Sequence, residues 1–213
     1  TFCRADAVEV LRASPDRVPA PCTNAGPGRC GGCDWQHASA AAQRNLKAAV
    51  VREQFQRLAK LDVCGLFAGV EELPGGLLAW RTRITFAVDR GGRPGLHRHR
   101  SHEVEHLASC PLGVPGVGDS DALRRTWPGL TGIEAVRDDR DEVSLLAHRP
   151  GGGRRGRGRR PPDAVQTIEG PQVLTYRVDG REFDVDAGGF WQVHPAAARA
   201  FGAALLDALQ PQQ

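Results

Sequence analysis

The chain of 213 residues carries 28 Lys and Arg against 25 Asp and Glu, a formal charge of +3, and 40% of it is hydrophobic. That length allows one domain or two small ones with a real core. No run of 18 apolar residues occurs, which excludes a membrane-spanning helix, and the charged opening stretch (Arg4, Asp6, Glu9, Arg12) is no signal peptide. Met is absent altogether, so we expect a piece of a longer chain with sequence missing on both sides.

Residues 1–12 partly alternate and run into Ser14-Pro15, as the last strand of a small β domain would. Residues 13–37, rich in Pro, Gly and Cys, read as loop. A helix is predicted over Ser39 to Leu61, with Leu46, Val50, Val51, Phe55 and Leu58 on one side and Arg44, Lys47, Arg52 and Arg57 elsewhere. In Trp80 to Val88, Trp80, Ile84, Phe86 and Val88 point one way and Arg81, Arg83 and Thr85 the other, the signature of a half-buried strand. Asp89 to Gly95 is a turn, Leu96 to Leu107 returns as one or two strands, and Val143 to Ala147 is another. Val173 to Val178 and Arg181 to Val185 flank Asp179-Gly180, a two-residue hairpin signal. Pro195 suits the first turn of a closing helix that carries Phe201, Leu205 and Leu209.

The positive charge is concentrated. Gly151 to Pro162 carries five Arg and no acid, and without them the balance would fall from +3 to −2. Such a tract cannot pack a core and reads as a disordered surface loop over 150–163, either plainly solvated or contacting nucleic acid. Six Cys occur without a secretion signal, and in a reducing cytosol metal or cluster binding is a better use for them than disulfides. Cys22, Cys30 and Cys33 are spaced C-x7-C-x2-C, and Cys110 is a fourth candidate. The glycines of Cys30-Gly31-Gly32-Cys33 let the backbone approach an inorganic centre closely. Four thiolates suit a [4Fe–4S] cluster or, alternatively, Zn. Cys3 and Cys64 lack partners. His97, His99, His102 and His106 are read as a strand surface beside Arg98 and Arg100 rather than as metal ligands.

Cys30 to Lys47 resembles the cluster-binding signature of the RNA uracil-5-methyltransferases of the iron–sulfur-containing 23S rRNA type, with Gln36, His37, Gln43 and Lys47 in the expected places. Ser14 to Val18 resembles the exit from that family's TRAM domain, Trp80-Arg81-Thr82-Arg83 its aromatic-R-x-R strand, and Cys110-Pro111-Leu112 the element holding a fourth cluster ligand. Phe190 to Pro195 resembles the motif just before the methyltransferase domain, with His194 where the family usually has Asn. The resemblance implies an α+β fold: a cluster loop and helix packed on a mostly antiparallel central β domain. It also implies a TRAM (OB-like) remnant over 1–13, a cluster segment over 14–62, a β-rich RNA-binding domain over 63–186 and a lead-in over 187–213. The Rossmann-like methyltransferase domain would be absent from this chain.

By the same resemblance, Cys22, Cys30, Cys33 and Cys110 would hold the cluster, in a structural or a redox role. Arg81, Arg83 and Phe190 would contact RNA, and Gln192 would lie at the S-adenosylmethionine and base site. Otherwise Phe190 would pack in the core, Gln192 would bridge backbone, and the two Arg would line a solvated sheet face. The family's catalytic Cys and Glu lie in the part not present, so no catalytic residue is expected here and the chain alone should not methylate. The implied product is 5-methyluridine in RNA, ribosomal or otherwise transfer RNA, made by a cytoplasmic monomer. The alternatives are a cluster- or zinc-stapled RNA-binding module without chemistry, and a ferredoxin-like redox carrier.

Overall fold

A computed structural model describes residues 9–151 and 164–209. The chain divides into two compact units, Thr1–Glu72 and Leu73–Gln213. The expected amino-terminal strand and Cys3 fall largely or wholly on residues 1–8, and most of the Arg/Gly tract on 152–163; both lie outside the described residues. Residues 9–13 carry no strand.

The first unit is loop and one helix. Ser39 fastens the loop to the helix: its amide donates to Asp16 O (2.9 Å), and its Oγ accepts from the Ala42 amide (3.3 Å) as the N-cap of α1, Ala40–Gln54. A π-helical turn over Phe55–Ala59 extends α1, and Lys60, at φ 58°, ends it in the left-handed conformation. The helix matches the predicted span. Its apolar stripe, however, is not buried: Leu46, Val50, Phe55 and Leu58 are exposed, and the buried position of α1 is Ala48.

The second unit is built on a six-stranded antiparallel sheet of order β3-β2-β1-β4-β5-β6, with β1 Arg83–Val88, β2 Pro94–His97, β3 Val104–Glu105, β4 Gly132–Arg137, β5 Val143–Arg149 and β6 Ala164–Glu169. The hairpin β7 (Val173–Val178) and β8 (Arg181–Asp186) turns through Asp179 (φ 49°) and Gly180 (φ 79°), both left-handed as a type I′ turn requires. A final helix, α2, spans Ala197–Leu209. No helix among the described residues is long and apolar enough to cross a membrane.

Sequence pattern misses β4 and β6. In β4 five of six residues are buried, because the sheet is covered on both faces there. One face carries Ile84, Phe86, Ile133 and Ala135, paired Ile84 with Ala135 and Phe86 with Ile133. Gly113 abuts this face so tightly that a Cβ would lie 3.0 Å from Ile84 Cδ1. The opposite face places Val136 and Leu146 against Leu174 and Tyr176 of the hairpin and Ala187. A strand buried on both faces has no polar side to alternate with. Fully burying Phe86, Ile133 and Leu146 stabilises the fold by roughly 1.5–3 kcal/mol each.

Candidate functional site

Residues 79–83 are the meeting point of three distant segments of the second unit. The amides of Ala79, Trp80 and Arg81 donate to Pro111 O, Leu112 O and Leu112 O (2.9, 2.9 and 2.7 Å), and the Val114 amide returns a bond to Arg81 O (2.9 Å). This joins the Trp80-Arg-Thr-Arg segment to the Cys110-Pro-Leu segment. On the other side Thr82 donates twice to Val193 O, through its amide (2.9 Å) and its hydroxyl (3.1 Å). The indole of Trp80 stacks on the His194 ring, with centroids 5.6 Å apart and planes 26° from parallel. Three motifs that sequence could only line up in order therefore lie side by side.

Arg83 is not open to solvent, which corrects its expected placement. Its side chain is 17% exposed; Nη1 donates to Glu134 Oε1 (3.0 Å), and Nη2 to the carbonyls of Ala187 and Gly189 (2.8 Å each). Strand alternation does put Arg83 opposite Ile84 and Phe86, but the hairpin and the 187–189 turn cover that face. Glu134 also accepts from His148 Nε2 (2.9 Å). Burial alone would raise the Glu134 carboxyl; the His148 hydrogen bond and the Arg83 charge outweigh it and hold the group below the ordinary carboxylate value. Arg81 is half-buried, with its guanidinium 5.2 Å from the Trp80 ring centroid, and its buried Nε has no hydrogen-bond partner among the described residues.

Phe190 is 83% exposed, so it does not pack in the core. Its neighbour Trp191 does, stacking on Tyr176 (4.7 Å, 16°) beside Phe183 (5.7 Å). Burial raises the Tyr176 phenol. Gln192 is half-buried. His194 Nδ1 accepts from the Ala196 amide (3.1 Å), and burial lowers its pKa, so the ring is neutral at pH 7. A neutral imidazole thus does, in the turn just before α2, what the amide oxygen of an Asn would do. Glu134 and His148 are site residues that sequence reading missed. They lie on strands β4 and β5 with no motif around them; the pairing of β1 with β4 brings Glu134 to Arg83, and the pairing of β4 with β5 brings His148 to Glu134.

In the first unit, the cysteine loop is knotted by backbone bonds: Ala25 N–H to Cys22 O (3.1 Å) and Cys30 N–H to Asn24 O (3.1 Å), with Ala25 and Cys30 in a bridge. The Cys22 amide donates to Gln36 Oε1 (3.1 Å), and the Gly32 amide points at Cys30 Sγ (3.4 Å). Amide donors to sulfur and thiol-only donors fit a cluster or zinc. Among the described residues, no group of three or more His, Cys, Asp or Glu is gathered to hold a metal ion. In the second unit Cys110 is buried in a tight loop, where a Cβ on Gly118 would collide with its carbonyl. Cys64 is exposed, and its thiol is pushed up by the Asp62 carboxylate, the opposite of an activated nucleophile. Three of the four histidines, His97, His102 and His106, border an open cleft of about 460 Å³ at the β1–β2–β3 edge, lined also by Arg90, Arg93 and Arg98. There Asp89 pairs with His106 (3.2 Å).

No protein-family model matches the chain. It is 44% identical over 238 aligned residues to an uncharacterized RNA methyltransferase of Streptomyces avermitilis, covering 100% of this chain and 54% of that protein. A Streptomyces coelicolor protein of the same description is 43% identical, with 100% and 51% covered. A 23S rRNA (uracil(1939)-C(5))-methyltransferase RlmD of Halomonas elongata is 36% identical over 138 residues, 64% of this chain and 27% of that one. The chain thus spans about half the length of these two Streptomyces relatives. Among solved structures, the Pyrococcus abyssi tRNA (uracil-54, C5)-methyltransferase in complex with S-adenosyl-L-homocysteine shares the fold: TM-score 0.61, 16% identity, 93% of this chain and 53% of that chain covered.

Proposed function

This chain is a relative of the RNA methyltransferases, and we propose that it supplies the RNA-handling part of an enzyme that transfers a methyl group from S-adenosylmethionine to C5 of a uridine, in 23S rRNA. The observation that carries this reading is the convergence of the Trp80–Arg83, Cys110–Leu112 and Phe190–His194 segments, with one exposed aromatic at its rim.

Methylating a base requires that it leave the stack, at a cost of a few kcal/mol. An exposed ring such as Phe190 offers a stacking partner worth roughly 1–3 kcal/mol per base. Arg81, half-buried with its guanidinium beside the Trp80 ring, would turn the solvent side of its fork to a phosphate or a base. Gln192, two residues from Phe190, would present its amide to the base or the cofactor. The nucleophile and base of the reaction would come from sequence outside this chain, since Cys64 is poorly suited to attack. Cys22, Cys30, Cys33 and Cys110 would hold a [4Fe–4S] cluster, with zinc the alternative. The bound centre would act as a structural staple for a loop held by its own backbone bonds and by the Gln36 side chain.

The test uses the native full-length protein, 23S rRNA fragments and isotopically labelled S-adenosylmethionine. Digestion to nucleosides should yield labelled 5-methyluridine. Label on another nucleoside, or none, overturns the reading.

A further inference from the structure

An exposed side chain has no packing to fix its direction, so Phe190 points where its backbone points. That backbone is anchored at two places by consecutive residues, Thr82 just before β1 and Arg83 at its start. Thr82 holds Val193 O, and Arg83 holds the carbonyls of Ala187 and Gly189. Between them the turn is closed on itself: the Gly188 amide donates to Asp186 Oδ1 (2.8 Å), the Gly189 amide to Asp186 O (2.7 Å), and the Ala187 amide to Gln172 O (2.8 Å). Gly189 has no room for a side chain, since a Cβ would lie 2.9 Å from Asp186 O.

We propose that Arg83 is a positioning residue, not an RNA contact: its guanidinium, oriented by Glu134 and through Glu134 by His148, clamps the 187–189 turn and so sets the pose in which Phe190 meets RNA. The fork geometry matters. One planar guanidinium spans a carboxylate on β4 and two carbonyls of the turn, which the point charge of a Lys cannot do at once. Glu134, itself 5% exposed, balances the buried charge, and the His148 N–H fills a second carboxylate acceptor and fixes the rotamer.

The inference rests on the reading that Phe190 stacks on RNA, and its test separates the two. A fluorescent RNA hairpin with a uridine in its loop is titrated with the protein and with Arg83→Lys, Phe190→Ala and the double variant. The double variant should bind within about twofold of Phe190→Ala alone, because Arg83 acts through that ring. The logarithmic salt slope should be the same in Arg83→Lys and the parent at matched affinity range. Additive losses, or a slope smaller by about 0.7 in an Arg83→Gln variant, would make Arg83 a phosphate contact and overturn the proposal. Amide exchange supplies the measurement that needs no RNA. In Arg83→Lys and in His148→Gln, the amides of Ala187 and Gly189 should exchange at least about tenfold faster, while those of Ile133 and Ala135 keep their rates. His148→Gln leaves the buried charge pair in place and so covers the case in which Arg83→Lys fails to fold. If exchange at 187–189 is unchanged, the clamp does not exist. If exchange rises but Phe190→Ala binds RNA normally, the clamp stands and the stacking role of Phe190 falls.

Discussion

Replacing Glu134 by Ala tests the energetics of the buried centre of the second unit. The carboxylate side chain is 7% exposed and receives Arg83 at 3.0 Å and His148 at 2.9 Å. Its loss leaves a guanidinium, 17% exposed, without its counter-charge and a ring N–H without its acceptor. Removing one partner of such a pair costs about 3–5 kcal/mol, mostly the penalty of the stranded charge. Against a whole-domain stability of about 5–15 kcal/mol this is a large fraction. Urea unfolding followed by tryptophan fluorescence should therefore show a much lower midpoint with an unchanged slope. The pH dependence gives a second reading. Glu134 is held below its ordinary value of 4.5, so the stability it contributes is complete above that pH and is lost as pH falls through the lower folded-state value. The parent should lose stability steeply below about pH 4.5, and Glu134→Ala less steeply. A stability loss below about 1 kcal/mol, with an acid profile matching the parent, would show that Arg83 is satisfied without Glu134 and refute the account.

Phe190→Ala should weaken RNA-hairpin binding by roughly 5- to 150-fold, the equivalent of 1–3 kcal/mol, and leave the melting temperature unmoved because the ring is exposed; anisotropy titration and thermal unfolding check both. His194 has its pKa lowered below 6.5 by burial, so the folded state resists protonation and loses stability as pH falls from 6.5 towards the folded value. His194→Asn should keep the bond to the Ala196 amide and remove that component, seen as a flatter melting-temperature profile between about pH 5 and 7. Anaerobically purified protein should show iron–sulfur absorbance that Cys30→Ala abolishes along with stability; a colourless, zinc-loaded parent would favour zinc over iron.

Much of the fold was legible in the sequence because its signals are local. Ser39 caps a helix whose span follows from apolar spacing, Asp179-Gly180 forces a hairpin because both residues must take positive φ, and the Ile84, Phe86, Val88 alternation marks a strand. The motifs also stood in an order that pointed to RNA methyltransferase relatives. Their meeting was not legible. Gly132 to Arg137 shows no alternation because it is buried on both faces, so the central strand, and Glu134 with it, has no pattern to betray it. Arg83 shows the same limit: alternation assigns it to a face, but whether that face meets water or a covering hairpin depends on residues 174–189 folding back over it. Period and spacing report only on neighbours along the chain. The partners of a buried charge are chosen by segments about 50 and 100 residues away, and only tertiary packing decides which they are.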